Sequence, residues 1–567
     1  MKLSPSRSVI WAISGIIVLG GALRFYCITS KGLFFWDEGI HMQEAQYLHS
    51  MATGLKEHIG AGALALKVEE KVTGKDLSHV EEGLNLVRSK LKGHYQETAK
   101  PTHIALIAAS MALFGDHDYC GNVLSALCGT LTIVVIFYLG KLIGGTAVGV
   151  TSAFLLAISP LHLIYSRETL AEADSIFFFY CAFLLWYLCR KMVRARMLFL
   201  FPAGVAAGLS LTCQNRWIII PVVFLFMEIA ALIFIRGRRI QDLFRNCAIL
   251  GAGFLLPIVL WQTIYFILKN YMGLLSMDYF NQMKGITAFC AGFSFSYGGV
   301  LPLFLTIARF EGVVITLMLV SGIVLACLRK TKADIYLLIV LFFPLALFTF
   351  RPHHFTRIFS MAIPCFYLVV GNFLCWIFTG LTKRWPHPRP IILMSVISLV
   401  LLALVPNISR DIKIIHWRSR FKEAVEFLTD RGSPNHYSTV GKLSQYYTSD
   451  GAVQRPPRKG ETGPGAAEIA GFPYLLVDKQ KYYQTTFGSS PSDWITQVEK
   501  DCTLAFEVRE DFDELFFEHF AFEHSVNYWE TSAFLKQLPF PEAAMLRIYR
   551  LQNCVREKVM ENDSLQK

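Results

Sequence analysis

The chain has 567 residues, of which 53% are hydrophobic and only 17% charged, and its formal net charge is +11. A soluble domain carries about 25% charged residues, so the composition excludes an ordinary soluble enzyme and describes a polytopic membrane protein with one sizeable soluble part. Nucleic acid is excluded as the partner of this basic chain, because the bases gather at the ends of apolar stretches, where membrane topology puts them.

The first apolar run, Val9–Phe25, follows Lys2 and Arg7 and ends in Arg24. We read it as an uncleaved first span rather than a signal peptide. Phe34-Phe35-Trp36-Asp37-Glu38 comes next. The aromatics are expected at the level of the lipid headgroups. Two adjacent carboxylates near hydrocarbon are costly without a role, so Asp37 and Glu38 are candidate catalytic acids; an ion-paired interface is the plain alternative. The first outer loop, about 31–102, carries two stretches of helical spacing, Gly54–Val72 and Leu77–Tyr95. They read equally as amphipathic helices on the membrane or as a solvated helical cap. Glu97-Thr98-Ala99-Lys100-Pro101 closes the loop. Lys100 can bind a phosphate as a point charge or simply snorkel to headgroups, and Glu97 is a candidate acceptor or sugar contact.

Ile104–Phe114 is apolar but too short to cross comfortably. About eleven runs are long enough: Val9–Phe25, Gly121–Gly140, Ala147–Ile164, Ser175–Leu188, Leu198–Leu211, Ile218–Ile235, Ala248–Leu268, Val313–Leu328, Ile335–Phe350, Ile358–Phe378 and Ile391–Val405. If Ile104–Phe114 does not cross, the clusters around Lys141, Arg194, Arg238, Lys330 and Arg384 all fall on the side of Lys2 and Arg7. That obeys the positive-inside rule at every turn. The expected architecture is thus a helical membrane module over 1–405, with its N-terminus cytoplasmic, in the plasma membrane. An extracytoplasmic α/β domain follows over 406–567, expected to help hold an acceptor and to do no chemistry.

On this topology the unusual polar residues share the outer face. Tyr165-Ser166-Arg167-Glu168 ends one span, and Glu172 and Asp174 begin the next. Arg and three acids at membrane depth mark either a site or a structural ion-pair network. Asn215-Arg216-Trp217 and Arg351-Pro352-His353-His354-Phe355-Thr356-Arg357 add positive charge from two further turns. Arginine suits phosphate through paired hydrogen bonds. His353 and His354 read as helix-end or substrate contacts rather than metal ligands. The 13 cysteines show no CxxC spacing and lie mostly in apolar runs, so they read as small core residues; Cys502 and Cys554 in the tail could pair. No metal site is assigned, and a divalent cation is left open as the only cofactor. Asp116-His117-Asp118 has a metal-type spacing but is short, and it faces the side without nucleotide sugars. Carboxylates with several cations on one face suit a reaction in which a phosphate leaves and a hydroxyl or amine attacks.

Arg24-Phe25-Tyr26 … Trp36-Asp37-Glu38, Lys100-Pro101, Ser159-Pro160 … Tyr165-Ser166-Arg167-Glu168 and Gly204 … Gly208-Leu209-Ser210-Leu211-Thr212 resemble, in that order, the motifs of the GT-C glycosyltransferases of the protein O-mannosyltransferase and lipid A aminoarabinose transferase type. The resemblance implies a GT-C-like membrane fold and a polyprenyl-phosphate-linked sugar donor. It also implies hexosyl or pentosyl transfer outside the cytoplasm, usually with inversion, to a protein, lipid or glycan acceptor. By motif match Asp37 becomes the base and Lys100 a lipid-phosphate ligand; Arg167-Glu168 becomes the second-loop site element, with Glu168 the next acid. Arg167, Arg216 and Arg357 join Lys100 as candidate donor-phosphate contacts. The chain departs from the family at Thr102-His103, where a second Pro and an aromatic are common, and at Cys213-Gln214-Asn215 before Arg216. The competing reading is a transporter or flippase for a lipid-linked glycan. That class shows repeated halves and charge at the bilayer midplane, which this sequence does not display.

Overall fold

The computed structural model describes residues 7–60, 78–91, 100–192, 196–234, 239–275, 300–349, 360–384, 389–432, 434–448, 452–456, 466–478, 493–516 and 544–551, with single positions 279, 357 and 519. The chain divides into two compact units. The first takes in Met1–Tyr26, Glu44–Pro352 and Thr356–Ile412; the second takes in Cys27–Gln43, His353–Phe355 and Lys413–Lys567.

The first unit is helical. In chain order it contains α1 (Arg7–Phe25), most of α2 (Trp36–His58), α3 (Ser78–Leu91), α4 (Pro101–Phe114), α5 (Tyr119–Gly144), α6 (Thr146–Ala157), α7 (Pro160–Tyr165) and α8 (Glu172–Lys191). It continues with α9 (Arg196–Cys213), α10 (Ile220–Phe234), α11 (Ile240–Asn270), α12 (Val300–Glu311), α13 (Val313–Arg329), α14 (Lys332–Thr349), α15 (Ile363–Arg384) and α16 (Arg389–Ile415). Among the described residues five helices are long and apolar enough to cross a membrane: those at Arg7–Ser30, Tyr119–Gly144, Glu172–Lys191, Ile240–Asn270 and Ile363–Arg384. Five shorter apolar helices, α4 among them, accompany these. At about 1.5 Å per residue, α4 falls well short of a roughly 30 Å hydrocarbon core.

The motif glycines are explained by packing. A Cβ on Gly204 would come within 2.3 Å of the Leu250 carbonyl, and one on Gly208 within 2.3 Å of the Phe254 carbonyl. Two glycines four apart thus let α9 and α11 touch backbone to backbone, the membrane device of small residues at a helix interface. Gly253 answers from α11, its Cβ position lying 2.3 Å from the Phe201 carbonyl.

The first-loop helix α3 buries Val80, Leu84, Val87 and Leu91 against Tyr47, Met51 and Leu55 of α2, Leu268 of α11 and Met272 just beyond that helix. Each such side chain contributes roughly 1.5–3 kcal/mol when fully buried. Its apolar stripe meets protein, so of the two expectations for Leu77–Tyr95 the helical cap fits. Arg88 completes it by donating to the Met272 carbonyl at 3.1 and 2.6 Å, next to the C-terminal end of α11. Of Gly54–Val72 the part beyond residue 60 lies outside the described residues.

The second unit holds a five-stranded sheet in the order β2-β1-β3-β5-β4, made of β1 (His436–Ser438), β2 (Val453–Gln454), β3 (Tyr474–Asp478), β4 (Thr503–Arg509) and β5 (Met545–Arg550). β1 pairs in parallel with β2 and β3, while β5 is antiparallel to β3 and β4. β3, Tyr-Leu-Leu-Val-Asp, is buried at all five positions, as a strand covered on both faces must be. Helix α17 (Phe421–Asp430) buries Phe421, Ala424, Val425 and Leu428, an i, i+3, i+4, i+7 face. α18 (Gly441–Tyr447), α19 (Ala466–Gly471) and α20 (Asp493–Asp501) complete the α/β unit. The same unit includes Phe34 and Phe35, which the sequence suggested for the headgroup level. They are buried instead, Phe34 against Phe516 with ring centroids 4.5 Å apart and Phe35 against the same ring at 5.9 Å.

Candidate functional site

In the first unit the polar residues of interest collect around the start of α4. Pro101 opens the helix, its missing N–H costing nothing there. Lys100 stands at the N-cap with φ −128° and ψ 62°, and its side chain is half-buried. Trp261 Nε1 donates to Thr102 Oγ1 at 2.8 Å, Thr102 Oγ1 lies 2.6 Å from Thr212 Oγ1, and Thr212 Oγ1 donates to the Gly208 carbonyl at 3.1 Å. Since Thr212 gives its proton to the backbone, Thr102 donates to Thr212 and accepts from Trp261. This relay fixes the first turn of α4 between α9 and α11. A cleft beside it is lined by Glu44, Tyr47, Pro101, Trp261 and Tyr265. A helix start also presents unpaired backbone N–H groups, of the kind that meet anions.

His103, buried in the same turn, holds Asp174 of α8 through Nδ1 at 3.0 Å. Gln214 donates to Glu172 at 2.9 Å. Glu168, Glu172 and Asp174 are therefore all buried within seven residues of chain, on the turn and helix start that the sequence marked. The turn is held close by small residues: a Cβ on Gly121 would meet Thr169 at 2.1 Å, and one on Gly129 would meet Ser166 at 2.1 Å.

Arg167 is buried, and its Nη1 donates to the carbonyls of Leu23, Arg24 and Tyr26 at 3.0, 2.9 and 2.9 Å. It caps the C-terminal end of α1 through main-chain carbonyls. Arg24 does the matching job for α6, donating to Ala157 and Leu156 carbonyls at 3.2 and 3.4 Å, and it meets His162 Nδ1 at 2.6 Å. Glu311 receives the Ser159 hydroxyl at 2.7 Å, the Leu161 N–H at 3.2 Å and the Tyr367 hydroxyl. Arg216 lies in the turn Asn215–Trp217, where Asn215 accepts from Tyr279 at 3.3 Å. Arg357 is buried in the first unit. Glu97, His353 and His354 lie outside the described residues. Among the described residues no three His, Cys, Asp or Glu side chains gather as a metal would require.

The acid pair sits in the second unit, in the first turn of α2. Glu38 is fully buried and accepts the N–H groups of Phe34 at 2.6 Å and Phe35 at 2.9 Å, with Lys31 Nζ at 3.9 Å from its other oxygen. An acid at the third helical position reaching back to the entering backbone is one half of a capping box. Asp37, one residue earlier, is half-buried. Glu38 is thus tied into the helix start, while Asp37 is less deeply buried than its neighbour.

Trp261, Glu311 and Tyr367 were missed in the sequence, while Thr212 and His103 were quoted there only as parts of a motif and of a departure from it. Of the three missed residues Glu311 gave a signal, as a lone carboxylate closing an apolar helix.

Residues 99–265 match the family model of dolichyl-phosphate-mannose-protein mannosyltransferase. No curated protein matches the chain. Among solved structures the chain is similar to the archaeal oligosaccharyltransferase AglB of Archaeoglobus fulgidus, in complex with an inhibitory peptide and a dolichol-phosphate. That match has a TM-score of 0.58 and 12% identity, over 88% of this chain and 73% of that one. The A. fulgidus oligosaccharyltransferase complex with Zn and sulfate gives 0.53 at 12%, over 95% and 88%. ArnT from Cupriavidus metallidurans in the apo state gives 0.55 at 11%, over 89% and 97%. The chain has the fold of the GT-C membrane glycosyltransferases, as the four motifs implied.

Proposed function

We propose that the chain is a membrane glycosyltransferase that moves a sugar from a polyprenyl-phosphate carrier to a protein, lipid or glycan acceptor on the outer face of the membrane. The observation that carries this reading is the head of α4. There Lys100 and a helix N-terminus are held by the Trp261–Thr102–Thr212 relay, inside the segment that matches the mannosyltransferase model. The AglB structure, similar in fold, holds a dolichol-phosphate and a peptide. A lipid phosphate and an outer acceptor are thus the pair of ligands to expect of this architecture.

In the reaction an acceptor hydroxyl or amine attacks the anomeric carbon. The bond from that carbon to the phosphate oxygen breaks, and the electron pair leaves with the polyprenyl phosphate. A single in-line displacement inverts the anomeric centre. Lys100, with Arg216 and Arg357 as further cations, stabilises the departing charge. Asp37 takes the acceptor's proton. Arg167, held by the α1 carbonyls, serves by shaping the turn that carries Glu168. A transporter is the weaker reading, because the buried acids Glu168, Glu172 and Asp174 cluster at one helix start.

The test is sugar release and transfer from a polyprenyl-phosphate sugar by the purified protein. Lys100→Ala should lose at least about tenfold in turnover at limiting donor, the scale of one charge-assisted contact. A folded variant with unchanged kinetics would remove Lys100 from the phosphate site, and no release by the wild type would remove the enzyme reading itself.

The outer-face assignment follows from basic-residue sidedness. It is supported by Cys502, which is disulfide-bonded, a state that belongs to oxidising compartments. A cysteine introduced beside Arg194 should resist impermeant thiol reagents in intact cells, and one at Gly463 should react. Reaction at the first position would invert the topology.

A further inference from the structure

Asp37 stands on a segment that the soluble domain grips at both ends. Residues Cys27–Gln43 belong to the same compact unit as Lys413–Lys567. Before Asp37, the Ser419 N–H donates to the Lys31 carbonyl at 2.8 Å. Gly32, at φ +71°, lies so close to Ser419 that a Cβ would meet its side chain and carbonyl at 3.2 Å. The Phe34 ring packs on Phe516 at 4.5 Å and Phe512 at 6.1 Å, and Trp417 packs on Phe516 at 4.8 Å. After Asp37, a Cβ on Gly39 would lie 2.7 Å from Cα of Leu443, so α2 meets α18 backbone to backbone. Gln43 Nε2 then donates to the Lys442 carbonyl at 2.6 Å. Between these grips Glu38 ties Phe34 and Phe35 to the helix start.

The grip is built from packed aromatics, close backbone approach and buried hydrogen bonds. Such contacts hold a side chain to a fraction of an ångström, the tolerance a general base needs. Misplacing a reacting group by about 1 Å can cost a hundredfold in rate.

We propose that the soluble domain is the positioning element for the catalytic acid, with Phe516 and the Lys442 carbonyl as the two anchors that set where Asp37 stands. The domain's part in the reaction is then larger than holding an acceptor: it sets kcat. This rests on the glycosyltransferase reading given above.

Two variants of the full-length protein test it. Phe516→Ala removes the aromatic anchor, and Gln43→Leu removes the bond to Lys442 without touching the domain core. Two quantities are read: hydrogen exchange at the backbone amides of residues 34–40, and steady-state transfer from a polyprenyl-phosphate sugar. Exchange should quicken by at least about tenfold, and kcat should fall about ten- to a hundredfold. The KM for donor should stay within about threefold, and Phe516→Leu should recover most of kcat. A merely structural role would lower donor affinity and kcat together. If Phe516→Ala does not fold, Gln43→Leu decides alone. Unchanged exchange overturns the grip, and quickened exchange with unchanged kcat overturns the positioning role. A wild-type protein without transfer would overturn the enzyme reading, and the positioning role with it, whatever the exchange data show.

Discussion

Asp37→Asn should abolish transfer while leaving donor binding within about threefold. Asparagine keeps the shape of the side chain and removes the proton acceptor, and general-base assistance is worth roughly a hundred- to ten-thousandfold. The neighbouring acid provides an internal control. Glu38 is fully buried and holds the N–H groups of Phe34 and Phe35. Glu38→Gln keeps an oxygen that can accept those bonds but gives up their charge assistance. It should cost about 1–2 kcal/mol of local stability and a smaller part of the rate. The two variants are separated by measuring transfer and donor binding side by side, with thermal unfolding as the check on folding. If Asp37→Asn keeps more than about a tenth of wild-type turnover, the base lies elsewhere, and Glu168, buried on the turn after α7, is the next carboxylate to replace.

The preference for Asp37 over Glu38 shows what a sequence carries and what it omits. The pair itself is conspicuous, because adjacent acids after an apolar run are rare and costly. What the sequence omits is the helix start: Glu38 sits where a side chain can reach back to the entering N–H groups of Phe34 and Phe35. Phe34-Phe35 misleads for a related reason. An aromatic run after a span reads the same whether lipid or protein covers it, and the covering residues, Phe512 and Phe516, lie far along the chain.

Arginine shows the same limit from the other side. Arg24 and Arg167 stand out as charges at the ends of apolar stretches, and for Arg167 the family resemblance suggested a phosphate. Their acceptors are main-chain carbonyls at the ends of α6 and α1, and a carbonyl has no signature in a sequence. Lys100-Pro101 was legible because its meaning is local, a cation followed by the residue that best opens a helix. The Trp261–Thr102–Thr212 relay that steadies it joins positions 159 and 110 residues apart. The Gly204–Gly208 stretch was noticed for its family resemblance, and its physical reason is the close approach of α11.

Glu228→Leu should be the most damaging single change to the stability of the helical unit. Glu228 stands in the middle of α10, an otherwise apolar helix, and is fully buried. Its carboxylate receives the Trp186 indole N–H at 2.7 Å and the Asn246 amide at 2.9 Å, and it pairs with Arg190. The Arg190 guanidinium also lies over the Trp186 ring, 4.6 Å from its centre. One acid therefore ties α8, α10 and α11 together. Removing it leaves the Arg190 guanidinium, only 5% exposed, without its countercharge, and the indole and amide without their acceptor. Breaking a buried pair from one side costs about 3–5 kcal/mol. Replacing both partners by apolar residues of similar volume is often neutral or better. Thermal unfolding in detergent should accordingly show a large loss for Glu228→Leu and for Arg190→Leu, and a double variant less damaged than the sum of the two, with the unmet Trp186 and Asn246 donors keeping it below wild type. The consequence reaches the site. α8 carries Arg190 in its last turn and Glu172 and Asp174 in its first, so a helix that loses its tether at one end is free to shift the acids at the other. Turnover should follow stability, falling in each single variant and returning in part in the double. Additive losses in the double variant would mean that Glu228 and Arg190 act separately, and recovered stability without recovered turnover would give the pair a part in the reaction itself.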